Sequence, residues 1–330
     1  MHITKRESVF VFLLLALAGC GGGGGGGETT GRVSLLLTDA RSAFEDVSKV
    51  VVQFTGVTLK PQNGDEIFID FSTNAPPNDL KTIDLMTLTN GAVAALVDGV
   101  ELPAGSYNWV RLHVNARFDT EFDSYAEKTD GTQVELQVPS GEQAGLRLVS
   151  GFTVMAGGTT HLVIDWDLRK ALVEPQGAVN GQVDPRGYFL RPALRITDMA
   201  EFGNLFGTVD PLLLSTEPGA EPACTNDLAM DTGSAVYVYE GSFEGTPGDI
   251  GDLENPEPLV TATVTQNGDG IYTYEVHFLP LGDYTAAFTC QAGDDGADSD
   301  DAIWFRATET FAIGADGVDA VVPFGPPAQN

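Results

Sequence analysis

Basic side chains are scarce in this 330-residue chain: 17 Lys and Arg stand against 47 Asp and Glu, a formal charge of -30. Phosphate backbones are held by basic patches, so this balance argues against nucleic acid as a partner. Reactive side chains are few as well, with 3 cysteines and 4 histidines. No HExxH, GxSxG or Walker pattern occurs, so none of the familiar metalloprotease, serine hydrolase or nucleotide-binding signatures is present. One unbroken apolar run, Val9 to Ala18, stands out. It is about half of the roughly 20 residues that a membrane-spanning helix needs. What the chain does have is 42% hydrophobic, 9% aromatic and 19% charged residues, which excludes a disordered, collagen-like or coiled-coil chain. Its length suits two domains, each able to bury a core.

The first thirty residues read as an export and anchoring device. Lys5 and Arg6 precede the apolar run, which ends in Leu17-Ala18-Gly19-Cys20. A basic start, a short apolar core and small residues before a cysteine predict a signal peptide over 1–19. The last four residues resemble a bacterial lipobox, which implies that Cys20 is the lipidated first residue of the mature chain. Acyl chains contribute about 0.8 kcal/mol for each buried CH2, so multiple chains anchor stably. The resemblance, with Gly21 after the cysteine, implies the outer membrane. Gly21 to Gly27 is pure glycine. Nothing there offsets the backbone entropy of ordering, so 20–30 is read as a lipidated cysteine with a tether reaching roughly 18 Å.

Charge divides the remainder near residue 200. Residues 31–200 hold 14 basic and 22 acidic side chains; residues 201–330 hold Arg306 against 23 acidic ones. Both parts read as strands. In Tyr107 to Val114 and again in Leu162 to Leu168, aliphatic residues alternate with polar ones, the period of a half-buried strand. Tyr188 to Ile196 reads as one strand at a sheet edge, because Pro192 lies within it. Ser42 to Val47 and Gly91 to Val97 are the two segments expected to form short helices. The predicted fold is all-β: two antiparallel β-sandwich domains, immunoglobulin- or transthyretin-like, at 31–200 and 201–330, following the signal peptide and glycine tether.

Specific segments carry two resemblances. Leu37-Thr38-Asp39-Ala40, Ile83-Asp84-Leu85, Leu102-Pro103-Ala104-Gly105-Ser106-Tyr107, Ile164-Asp165-Trp166-Asp167 and Leu190-Arg191-Pro192 fall in order over about 31–197. As a set they resemble a bacterial lipoprotein family known as domain of unknown function 4382. That family implies no activity and no catalytic residues. In the second part, Leu279-Pro280-Leu281-Gly282-Asp283-Tyr284 resembles transthyretin-like and carboxypeptidase-regulatory-like modules. Those are spacers, adhesion units or carbohydrate-binding folds, and fold alone does not decide among them.

Few residues are candidates for chemistry. Cys224 and Cys290 are expected to form a disulfide, since an exported chain meets an oxidising compartment. His161 and Asp165 are four apart on one strand face, about 13 Å, too far to share a proton. Asp165 and Asp167 form a carboxylate pair of glycosidase or metal-ligand type, or simply a polar strand face. Asp294, Asp295, Asp298, Asp300 and Asp301 crowd one loop and suit Ca2+, although not at EF-hand spacing; a solvated acidic loop is the alternative. No other cofactor is implied. Tyr107, Trp109 and Trp304 would be the stacking platforms of a carbohydrate-binding module. A hydrolase with an unfamiliar site would need a pocket with convergent carboxylates. The leading expectation is a non-enzymatic envelope lipoprotein, held to the membrane by its lipid, that binds protein or glycan or organises the envelope.

Overall fold

The computed structural model describes residues 29–39, 46–72, 80–119, 121–139, 145–173, 187–214, 224, 233–243, 245–252, 254–315 and 317–325. The signal peptide with His2, Cys20, the glycine run and Ser42 lie outside them. Strands dominate, and no helix among the described residues is long and apolar enough to cross a membrane.

Period-two patterning builds two sheets before residue 200. One runs Leu194–Asp198, Thr159–Trp166, Thr30–Thr38, Ala94–Pro103. The other is organised on the 15-residue strand Val47–Pro61, flanked by Gly105–Val114 and Tyr125–Lys128. Leu35, Leu37, Ile164 and Trp166 from the first meet Val52, Phe54, Val110 and Leu112 from the second in one core. Pairing is mostly antiparallel; Thr30–Thr38 lies parallel to Thr159–Trp166. Beyond residue 200 a second sandwich forms. Its first sheet runs Thr265–Gln266, Tyr272–Pro280, Phe202–Val209, Ala320–Val321. Its second runs Val260–Thr263, Ala235–Glu240, Gly282–Thr289, Phe305–Ile313. Leu205 and Val276 pack with Val236, Val238 and Phe288 between them. At about 25 cal/mol for each Å2 of apolar surface buried, these two cores supply the main drive to fold.

Local expectations fail at three places, each for a tertiary reason. Gly91 to Val97 is not helical; Ala94 begins a strand that pairs with Thr30–Thr38, setting Val97 opposite Leu35. Sheet pairing there overrides the helix preference of alanine and leucine. The Tyr188 to Ile196 run is two strands, Tyr188–Leu190 and Leu194–Asp198, in different sheets. Pro192 sits in the break, where no ladder hydrogen bond is required of it. Leu194–Asp198 does occupy a sheet edge. Leu168 leaves its strand and opens a single helical turn, Leu168–Ala171, because the Asp167 side chain accepts from the N–H of Arg169 and Lys170.

The same L-P-x-G-x-Y sequence occurs once in each sandwich, at 102–107 and 279–284. In both cases it carries the chain from one sheet to the other. The Tyr107 hydroxyl donates to the Pro103 carbonyl at 2.9 Å, and that of Tyr284 to the Pro280 carbonyl at 2.8 Å. Each corner is thereby tied by its own tyrosine, as in the tyrosine corner of other β-sandwiches. Tyr284→Phe is expected to cost about 1 kcal/mol, measured by urea denaturation, with no change in the far-ultraviolet spectrum.

Candidate functional site at the domain junction

Arg169, Lys170, Arg191 and Arg195 all point from the first sandwich into the second. Arg169 Nη1 donates to the Ala292 carbonyl at 2.7 Å, and Lys170 Nζ to the Pro258 carbonyl at 2.7 Å. Arg191 Nη1 donates to the Ala297 carbonyl at 2.9 Å. Arg195 donates to the carbonyls of Phe278 at 2.8 Å and His277 at 2.7 Å. Two acidic bodies would otherwise repel. Four cations at the seam donate to carbonyl oxygens, and Lys170 also pairs with Glu257 at 3.2 Å, which offsets that repulsion locally.

Asp165 and Asp167, the pair read as a polar strand face, are both buried in this seam. Asp165 accepts from Arg195 Nε at 2.9 Å and Nη2 at 2.5 Å, which orients the guanidinium toward the second sandwich. Asp167 caps the helical turn and also accepts the Thr261 N–H at 2.9 Å and its hydroxyl at 3.1 Å. Burial pushes the Asp167 carboxyl above the usual carboxylate range, with Lys170 opposing the shift. A cleft of about 270 Å3 opens here, lined by both aspartates, Lys170 and Arg195. Asp167 bonds across the seam to Thr261, whereas Asp165 acts through Arg195, its Oδ1 being buried without a hydrogen-bond partner. The sequence signal was the concentration of basic residues at 169–195, just before the boundary in charge.

Beside the seam, two loops of the second sandwich bring carboxylates together. Asp249, Asp295 and Asp301 each offer an oxygen within 4.8 Å of the others, and Asp249, Asp252 and Asp300 form an overlapping group. Asp249 is 3% exposed and Asp295 is 9% exposed. Each of the three directs Oδ2 to protein donors. Asp295 Oδ2 accepts the Tyr237 hydroxyl at 2.5 Å and the Ile250 N–H at 3.2 Å. Asp301 Oδ2 accepts the Gly296 N–H at 2.8 Å and the Ser299 hydroxyl at 2.7 Å. Asp249 Oδ2 accepts the Asp301 N–H. Oδ1 of Asp249 and Oδ1 of Asp295 are buried and have no hydrogen-bond partner. Burial, with the neighbouring Asp249 charge adding to it, pushes Asp295 up to about 6, against the pull of its hydrogen bonds; burial also raises Asp249. Gly251 allows the loops to meet: its φ is +92°, and a Cβ there would sit 2.8 Å from the Ser299 carbonyl oxygen.

Of the five aspartates singled out in sequence, Asp295, Asp300 and Asp301 enter these groups. Asp294 and Asp298 are exposed and enter neither, because the turns of the loop direct them to solvent. Asp249 and Asp252 were missed; their signal was the Gly248-Asp249-Ile250-Gly251-Asp252 segment.

The carbohydrate platform does not form. Tyr107 is 2% exposed in its corner, and Trp109 is 7% exposed beneath Arg111 and Arg147, whose guanidinium carbons lie 4.8 and 4.6 Å from its ring centroid. Trp304, at 57% exposed, remains without them. His161 is exposed while Asp165 is buried, so they do not work together. His113 contacts the Thr58 hydroxyl, and His277 contacts Asn204. Cys224 and Cys290 form a disulfide.

No curated protein matches this chain. Among solved structures, the TIE protein of Bacillus anthracis is 13% identical with a TM-score of 0.19, over 89% of this chain and 33% of that one. A leucine-rich repeat protein of Bacteroides thetaiotaomicron is 15% identical with a TM-score of 0.20, over 90% of this chain and 26% of that one. This chain thus spans a third or less of either. A shaft pilin of Lactobacillus rhamnosus is 9% identical with a TM-score of 0.20, over 91% of this chain and 100% of that one. At such scores these likenesses carry no argument about function. Residues 30–192 match a family model described as a domain of unknown function (DUF4382). That segment, which contains Asp165, Asp167, Arg169, Lys170 and Arg191 of the seam, is a DUF4382 domain.

Proposed function

We propose that this protein is a non-enzymatic envelope lipoprotein, anchored through Cys20, which presents a locked pair of β-sandwiches to protein or glycan at the cell envelope. One observation carries the reading: of the two carboxylates lining the junction cleft, Asp165 pairs with Arg195, and Asp167 is taken up by Thr261 and the helical turn. A seam held by four cations favours a body that keeps its geometry while presenting a surface. The lipobox resemblance at 17–20 supports a membrane anchor, and Gly21 supports the outer membrane.

The test is Cys20→Ser in the native host. The parent is expected to pellet with envelope and the variant to leave that fraction. The variant should also reproduce the phenotype of a gene deletion in surface attachment or detergent sensitivity. A variant that pellets like the parent would overturn the anchor. One that is released yet fully rescues the deletion would overturn the need to present the body at the membrane.

A further inference from the structure

Oxygens bound to one Ca2+ at 2.3–2.6 Å can be no more than about 5 Å apart. The carboxylates of Asp249, Asp295 and Asp301 meet that condition. Proximity among acidic residues is common in so acidic a chain and proves nothing alone. The second observation is the pair of unpartnered oxygens, Asp249 Oδ1 and Asp295 Oδ1, on side chains more than nine-tenths buried. Burying charge without compensation is costly, and buried charges in proteins are ordinarily paired or coordinate a metal. Hydrogen bonds to Oδ2 hold each of the three carboxylates in place, and in Asp249 and Asp295 they leave the buried Oδ1 without a partner. Arg169, whose charge acts on Asp295, makes its hydrogen bonds to the Ala292 carbonyl and the Thr263 hydroxyl and not to the carboxylates.

We propose that Asp249, Asp295 and Asp301 bind one Ca2+ ion, which clamps the 291–304 loop onto the 248–252 loop. Oxygen donors without nitrogen or sulfur select a hard cation. Three carboxylates held by two separate loops suit the larger, more loosely coordinated Ca2+ better than Mg2+, which demands near-octahedral geometry at shorter distances. The ion also bears on the junction. Ala292 and Ala297, which accept from Arg169 and Arg191, belong to the clamped loop. Calcium would therefore order the surface onto which the first sandwich docks. This goes beyond the anchored role and does not rest on it, because all three carboxylates belong to the second sandwich.

The experiment is calorimetric titration of EDTA-treated full chain in detergent with CaCl2 and, separately, MgCl2, alongside thermal melts. One Ca2+ per chain is expected, with a rise in melting temperature of about 5 °C at millimolar Ca2+ that EDTA reverses. Mg2+ should bind at least tenfold more weakly. Asp295→Asn and Asp249→Asn should each weaken Ca2+ binding more than tenfold, whereas Asp294→Asn and Asp298→Asn should retain it. In EDTA, Asp295→Asn should melt no lower than the parent, because an amide oxygen can still accept from Tyr237 and Ile250 while the unpartnered buried Oδ1 no longer carries charge. Should that variant misfold, Asp301→Asn, at a half-buried position, replaces it. Absence of heat and of any melting shift in the parent overturns the site. So does an equal response to Mg2+, or an undiminished response in Asp249→Asn and Asp295→Asn, either of which means diffuse screening of an acidic surface.

Discussion

Replacing both Cys224 and Cys290 with alanine is expected to lower the unfolding free energy by about 4 kcal/mol in the chain-entropy account. The bond spans a sequence separation of 66 residues, so without it the unfolded ensemble regains a long loop. Both sulfurs lie in the core with Leu213, Leu214 and Phe288, and truncating them also leaves a small cavity, which adds to the loss. Urea melts of the parent and the double variant, both in oxidising buffer, measure it. Reducing the parent should reproduce most of the change. A loss below about 1 kcal/mol would mean that the second sandwich is held almost wholly by its apolar packing. The loss should be confined to that sandwich, since the bridge does not cross the seam.

Arg195→Met is the change expected to weaken the seam most. It leaves Asp165 buried and unpaired, and removes the donors to His277 and Phe278 in the other sandwich. Breaking a buried ion pair by removing one partner costs about 3–5 kcal/mol. The double change Asp165→Leu/Arg195→Met should recover much of that, because no orphaned charge remains. Scanning calorimetry separates the two contributions. Loss of cross-seam bonds should split the melting of the two sandwiches into distinct transitions in both variants, while loss of charge pairing should lower the first sandwich in the single variant alone. If the single and double variants are equally destabilised, Asp165 is not the group that makes Arg195 necessary.

Period-two alternation made Tyr107 to Val114 and Leu162 to Trp166 legible as strands before any fold was known, because side chains alternate between faces in any strand. What alternation could not state is how many faces are covered. Asp165 and Asp167 fall on the polar face by pattern, yet they are buried, because the second sandwich covers that face and supplies Thr261 while Arg195 turns with it. Trp109 fell on the polar face too, and two arginine stems cover it. The acidic loop was visible as a run of five aspartates, but its partner Asp249 sits on another loop, and no local pattern joins the two.

The sequence by itself determined the all-β class, the change in charge near residue 200 and the expected disulfide, since each rests on composition or on neighbours along the chain. The tertiary structure alone decided that four cations close the seam, that Asp165 and Asp167 serve that seam, and that Asp249 meets Asp295 and Asp301. Those outcomes depend on which distant groups packing brings within a few ångströms and shuts away from water, and there the electrostatic cost of an unpaired charge becomes large enough to choose its partner.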